Sequence, residues 1–461
     1  MANEKDDSKD SINDSVKVSQ SKIPTSKVQR ATEFMKTGVK IGGNYIKHYA
    51  KKAINPDLDR SGLDADNAKD IYNSLSQLKG SALKVAQMMS MDKSILPKAY
   101  TDQFSMSQNS APPLSYPLIV NTFKKNLGKS PDEVFDTFSK DAVNAASIGQ
   151  VHKATIGAKT FAVKVQYPGI ADSISSDLKM VKPFATQLLG LSETDLTLYM
   201  SEVENMLIAE TDYELELKRS IEISKACSHI ENLRFAKYYP EYSSKRILTM
   251  DWLDGLHLNN FLATNPSQEV RNKIGQALWS FYDFQMHELL SVHADPHPGN
   301  FLMHEDGTLS IIDFGCVKVI PHEYHLKHFQ IINPELFEDD KKLEIVLKEL
   351  SFLYDDDSET DRKFFFDLFK GMLGITLEPF RDDVFDFGDD TYFAKLYAIG
   401  ESLAGMEEMR KSKKPRGAKD SLYLNRTYFG LYTMLNDLKA VVNTHTTWKT
   451  KYAKSLENLQ N

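Results

Sequence analysis

Two short segments, HADPHPGNF at 293–301 and IIDFG at 311–315, place Asp313 eighteen residues after Asp295, with Asn300 between them. Phosphoryl transfer from a nucleotide needs a carboxylate to orient the attacking hydroxyl or water, and further oxygen ligands to hold Mg²⁺ against the phosphates. Asp295, Asn300 and Asp313 supply those groups in that order. Any fold that uses them must bring two distant turns of the chain to one cleft. His293, Asp295 and His297 also alternate as metal ligands can, but a metallohydrolase reading leaves Asn300 and Asp313 without a role.

A site of this kind also needs a strand lysine to grip the α and β phosphates and a helical carboxylate to hold that lysine. The segment FAVKV at 161–165 has the alternation of a strand and supplies Lys164. A long helical pattern at 195–224 follows, and its ETDY segment supplies Glu210 as the expected partner, with Glu202 and Glu204 as rivals. A glycine-rich GxGxxG loop should precede the lysine strand. The chain has NAASIGQVH at 144–152 instead, with alanines where glycines are expected. Its backbone amides can still cradle phosphates, with Ser147 adding a hydroxyl.

These segments, together with KVAQ at 84–87 and KVQYPG at 164–169, resemble the ABC1 family of atypical kinases, also called ADCK or UbiB, over roughly residues 30–440. The resemblance implies an α+β, protein-kinase-like fold of two lobes with an N-terminal helical extension of the KxGQ type. It implies ATP or ADP binding with Mg²⁺, weak ATPase or phosphotransferase activity, and a role in ubiquinone or other isoprenoid-lipid metabolism. Carried over by residue, Asp295 is the catalytic aspartate, Asn300 and Asp313 are metal ligands, and Lys164 with Glu210 grips the phosphates. Ala145, Ala146, Ser147, Gly149 and Gln150 form the nucleotide loop. Met250 and Trp252 lie in the hinge that meets adenine. Lys84 and Gln87 match the ends of the family's KxGQ motif and are implied to restrain access, facing Asp212; Ala86 stands where the motif has glycine. Two alternatives remain: a small-molecule phosphotransferase of the aminoglycoside or choline kinase type, and a non-catalytic, nucleotide-sensing scaffold.

The 461 residues allow two or three domains. The expected division is a disordered tail at 1–25, a helical extension at 26–130, a kinase-like N-lobe at 131–255 and a helical C-lobe at 256–461. Net charge is −8, unevenly spread: residues 21–52 carry eight Lys or Arg against one Glu, whereas 355–390 carry twelve acidic and four basic residues. The basic arm includes an amphipathic stretch at 27–52, expected to dock on the protein's own core or on a membrane surface. An acidic chain without a known nucleic-acid motif is not expected to bind nucleic acid. The Phe364–Phe366 run reads as a helix with aromatics turned inward. No window resembles a membrane span or signal core, and two cysteines suit a reducing compartment. The expected location is cytoplasmic, peripheral at the inner membrane face.

Overall fold

The computed structural model describes residues 27–55, 58–59, 61–78, 114–145, 148–189, 193–406, 408–409, 412, 414–446 and 448. The expected tail and the helix carrying Lys84 and Gln87 lie outside the described residues, as do Ala146 and Ser147 in the nucleotide loop.

Two helices open the described chain, α1 (Lys27–Ile54) and α2 (Ser61–Leu78). Helix α3 (Tyr116–Leu127) comes next, and then strands β1 (Thr137–Phe138), β2 (Asn144–Ala145), β3 (Gly149–Ile156) and β4 (Lys159–Gln166). Three helices follow: α4 (Ile170–Leu189), α5 (Glu193–Glu210) and α6 (Tyr213–Ala226). After β5 (Leu233–Phe235), strand β6 (Ile247–Asp251) completes an antiparallel sheet in the order β1-β3-β4-β6, with β2 also on β3.

Side chains alternate across a strand, and β4 uses both faces. Phe161, Val163 and Val165 pack into a core with Ile119 and Phe123 of α3, so that helix belongs with the N-lobe although it precedes residue 131. Lys164 therefore points to the other face. Gln166, on the same face, donates through Nε2 to the carbonyl of Thr211 at 2.8 Å, which ties the junction of α5 and α6 to the sheet.

The expected long helix is two helices. Asp212 ends the first and caps the second: its carboxylate accepts from the Leu215 N–H at 3.1 Å. An aspartate is a strong N-cap because its side chain satisfies an amide that the helix leaves unpaired.

The amphipathic arm docks on the protein itself. Arg30, 2% exposed, donates through Nε and Nη2 to the two oxygens of the fully buried Asp177 on α4, each at 2.6 Å. Breaking a buried pair from one side leaves an uncompensated charge and costs about 3–5 kcal/mol. Thr37 and Asn44 continue the inner face of α1, bonding Ser74, Asn67 and Asp70 of α2. Ala68, Ile71 and Leu75 of α2 then pack with α4, α5, Ala294, Cys316 and Tyr423. That core reaches the residues beside both chemical loops.

The C-lobe is built around α7 (Gln268–Phe284), which is followed by β7 (Ser291–His293), β8 (Phe301–Met303), β9 (Leu309–Ile311) and β10 (Val317–Val319). Farther on come α8 (Glu359–Thr376), β11 (Val384–Asp386), α9 (Lys419–Asp437) and β12 (Val441–Asn443). Strand β5 joins β9 and β8 here rather than the N-lobe sheet. Phe365 and Phe369 of α8 are buried, and the Arg416 guanidinium lies 3.8 Å from the Phe365 ring centroid. The phenylalanine run thus turns inward. Cys227 and Cys316 are both buried, and burial pushes the Cys227 thiol up to about 12.

Candidate active site

Short antiparallel ladders bring the chemical residues together. In the β8–β9 hairpin Phe301 faces Ile311, so Asn300 and Asp313 flank the same end. The Ile312 N–H donates to the Asn300 carbonyl at 3.1 Å. In the β7–β10 pair His293 faces Val317, which brings the turn after β7 beside the turn before β10. His293 donates through Nε2 to the Asp313 carbonyl at 3.0 Å. A carbonyl cannot donate, so Nε2 carries the proton and Nδ1 accepts from the Tyr282 hydroxyl at 3.2 Å. His297 has a separate duty, accepting at Nδ1 from the Gly299 N–H at 3.0 Å. The three alternating residues therefore do not act as one ligand set.

Asn300 donates through Nδ2 to the Asp295 carbonyl at 2.9 Å and approaches Asp295 Oδ2 at 3.4 Å. Asp295 Oδ1 accepts from Nη2 of Arg426 on α9 at 2.9 Å. Asp313 accepts the Gly315 N–H at Oδ1, 2.8 Å, and Lys164 Nζ at Oδ2, also 2.8 Å.

Lys164 is 7% exposed and is also held by Glu216 Oε1 at 2.9 Å and Oε2 at 3.2 Å. Its Nζ lies 5.2 Å from the ring centroid of buried Tyr213. Burial opposes the charge on Lys164, but the Asp313 and Glu216 carboxylates outweigh it and hold the pKa well above the usual value. Burial also drives Glu216 upward, to about 7, against the pull of Lys164.

Glu216 replaces Glu210 as the helical partner. Glu210 is the last residue of α5, whereas Glu216 lies in the first turn of α6. Glu210 stays in the neighbourhood: a Cβ on Gly315 would stand 3.3 Å from Glu210 Cγ, 3.4 Å from Glu216 Oε2 and 3.1 Å from Asp313 Oδ1. Of the two rivals, Glu204 turns its carboxylate to the Ser175 hydroxyl. Asp212 is a helix cap, a local duty that the resemblance did not imply.

In the nucleotide loop, Ala145 ends β2, and Gly149 begins β3 beside the lysine strand and Tyr213 of α6. A side chain on Gly149 would meet Tyr213 Oη at 2.7 Å and the Val165 carbonyl at 2.8 Å. Gln150 departs from its expected role. Its side chain is fully buried, accepts the Leu114 N–H at 2.6 Å and lies 2.9 Å from His152 Nε2, so it clamps the chain entering α3. Met250 faces Ala162 within the sheet and is buried, while the Trp252 N–H donates to the Thr160 carbonyl at 3.0 Å. The chain then turns at Gly255, φ 144°, and meets the C-lobe where Leu256 pairs with Met303.

Among the described residues, no three His, Cys, Asp or Glu side chains gather as a preformed metal site. What the cleft offers is a carboxylate and an amide oxygen on adjacent turns, Asp313 and Asn300. That hard oxygen set fits Mg²⁺ shared with phosphates better than it fits a metal caged by protein alone.

Glu216 and Arg426 were not singled out from the sequence. The Asp212 cap is the signal that could have found Glu216, because it starts a new helix and moves the partner beyond Glu210. The Glu216→Ala variant leaves Lys164 short of one buried carboxylate, and we expect it to lose about 3 kcal/mol in urea unfolding. Glu204→Ala should stay within about 0.5 kcal/mol of the parent. Equal losses would contradict the assigned pairing.

The ABC1 atypical kinase-like domain family matches residues 106–346. The probable serine/threonine-protein kinase abkA of Dictyostelium discoideum is 28% identical over 95% of this chain and 82% of its own length. The mitochondrial atypical kinase COQ8 of Saccharomyces cerevisiae is 26% identical over 92% of this chain and 84% of its own. A solved Mycobacterium tuberculosis structure, the Rv3197–erythromycin complex, has a TM-score of 0.57 at 24% identity, covering 83% of this chain and 95% of that one, and supports the kinase-like fold. With that domain spanning more than half of its length, the chain belongs to the ABC1 family of atypical kinases.

Proposed function

We propose that the chain binds ATP and ADP with Mg²⁺ between its lobes and transfers the γ-phosphoryl group to water or to a hydroxyl acceptor of isoprenoid-lipid metabolism. The observation that carries this reading is the Lys164 ion pair with both Glu216 and Asp313, at the end of the β8–β9 hairpin that also carries Asn300 with its bond to Asp295. Such a lysine is placed to exchange carboxylate contacts for phosphate oxygens. Asp295 takes the proton from the attacking oxygen as that oxygen bonds to the γ-phosphorus. The bond from phosphorus to the β-phosphate oxygen breaks, ADP leaves with the electron pair, and the proton passes from Asp295 to solvent. Asp313 and Asn300 would hold the Mg²⁺, which when bound offsets phosphate charge. Family membership favours this reading over a small-molecule phosphotransferase of the aminoglycoside or choline kinase type. In purified protein, Asp295→Asn should lower ATP turnover by at least about 100-fold while Mg-ADP still raises the melting temperature. Unchanged turnover would refute the role of Asp295; a nucleotide-dependent thermal shift with no turnover in the parent would favour the scaffold.

A peripheral membrane location rests on the outer face of α1. Met35, Val39, Ile46 and Tyr49 are 61–76% exposed and share a stripe opposite Arg30, Thr37 and Asn44. Exposed Lys36, Lys40, Lys47 and Lys51 run along one side of it, Lys40 Nζ also lying 3.9 Å from Asp70 of α2. An apolar stripe with lysines along one side suits an anionic lipid surface. Among the described residues no helix is long and apolar enough to cross a membrane. The protein should float with vesicles containing phosphatidylglycerol and lose most of that binding in the Val39→Glu/Ile46→Glu variant. Equal flotation of both proteins would contradict this placement.

A further inference from the structure

The helix that reaches Asp295 from far along the chain is α9, and its contacts repeat along one face. Tyr423, Arg426 and Gly430 are spaced three and four residues apart and so share a side of the helix. Tyr423 donates through its hydroxyl to the Glu202 carbonyl at 3.3 Å. Gly430 rests on the turn after β7: a Cβ there would stand 2.4 Å from Pro296 Cγ. Between these two contacts, Arg426 reaches Asp295 Oδ1 at 2.9 Å. A separate tie, Lys318 Nζ to Asp420 Oδ1 at 2.6 Å, fixes the start of the helix to β10.

We propose that Arg426 is a positioning residue for Asp295, a role that rests on the phosphotransfer reading above. The Asp295 side chain is 11% exposed, and a carboxylate that withdrawn from water needs a charged or hydrogen-bonding partner to keep one orientation. The guanidinium holds Oδ1, and Asn300 Nδ2 lies beside Oδ2 and bonds the Asp295 carbonyl. The carboxylate is thereby kept from rotating, with Oδ2 left to take the proton of the attacking oxygen. A charge-assisted bond from a planar guanidinium fixes direction as well as distance. Helix α9 therefore contributes directly to the geometry of the catalytic turn.

The full chain tests this through ATP turnover in Arg426→Gln, Arg426→Lys, Asp420→Asn and Asp295→Asn. Arg426→Gln should lower kcat by about 100-fold, as misplacement of a catalytic group does, with KM for ATP within about twofold of the parent. Arg426→Lys should recover about tenfold of that loss, because it restores the charge without the planar fork. Asp420→Asn breaks the other tie of α9 and should leave kcat near the parent value. A normal kcat in Arg426→Gln with an inactive Asp295→Asn overturns the role of Arg426 and leaves the phosphotransfer reading standing. Normal rates in both overturn both. A kcat loss in Asp420→Asn equal to that in Arg426→Gln also overturns the proposal, since Arg426 would then only pin the helix.

Discussion

A lysine ammonium buried between two carboxylates organises this molecule. Lys164 comes from the central strand of the N-lobe, Glu216 from the helix behind it and Asp313 from a C-lobe turn. An unpaired ammonium in that position would be costly, so the pairing makes the relation between the lobes part of the stability of the site. Gly149 and Gly315 permit the approach, because a side chain at the first would intrude on Tyr213 and the Val165 carbonyl, and one at the second on Asp313, Glu210 and Glu216. The two carboxylates leave the lysine charged, and burial raises Glu216 toward neutrality.

The second dependence is on elements far from the site in sequence. Helices α1 and α2 attach through the Arg30–Asp177 pair and through a core that includes Ala294 and Cys316. Those two residues adjoin Asp295 and Gly315, so the extension packs directly against both chemical turns. Helix α9 reaches the same region through Tyr423 and through Gly430, which rests against Pro296. The extension and α9 therefore converge on the turn that carries Asp295 from distant parts of the sequence.

Much of this was legible in the residues, and the exceptions have physical causes. The HADPHPGN and IIDFG segments carried the chemistry, and short ladders hold them as their order implied. The strand lysine was evident from alternation. Its partner was misassigned because helical periodicity passes smoothly through 195–224 and hides the Asp212 cap, which ends one helix and turns Glu216 toward the sheet. The resemblance places Gln150 in the nucleotide loop, yet its amide satisfies the backbone of Leu114. Arg426 gave no signal, since its contact with Asp295 spans 131 residues of chain and depends on how α9 packs. Local pattern specifies which groups are present; tertiary packing decides which of them meet.

The account depends most on Lys164 as the residue that grips a nucleotide. Calorimetric titration of Mg-ADP into the parent protein and into Lys164→Met tests this directly, because methionine keeps most of the volume and removes the charge. The expected result is saturable binding to the parent and a loss of affinity of at least about tenfold, or 1.4 kcal/mol, in the variant. Equal affinity in the two folded proteins would contradict the account.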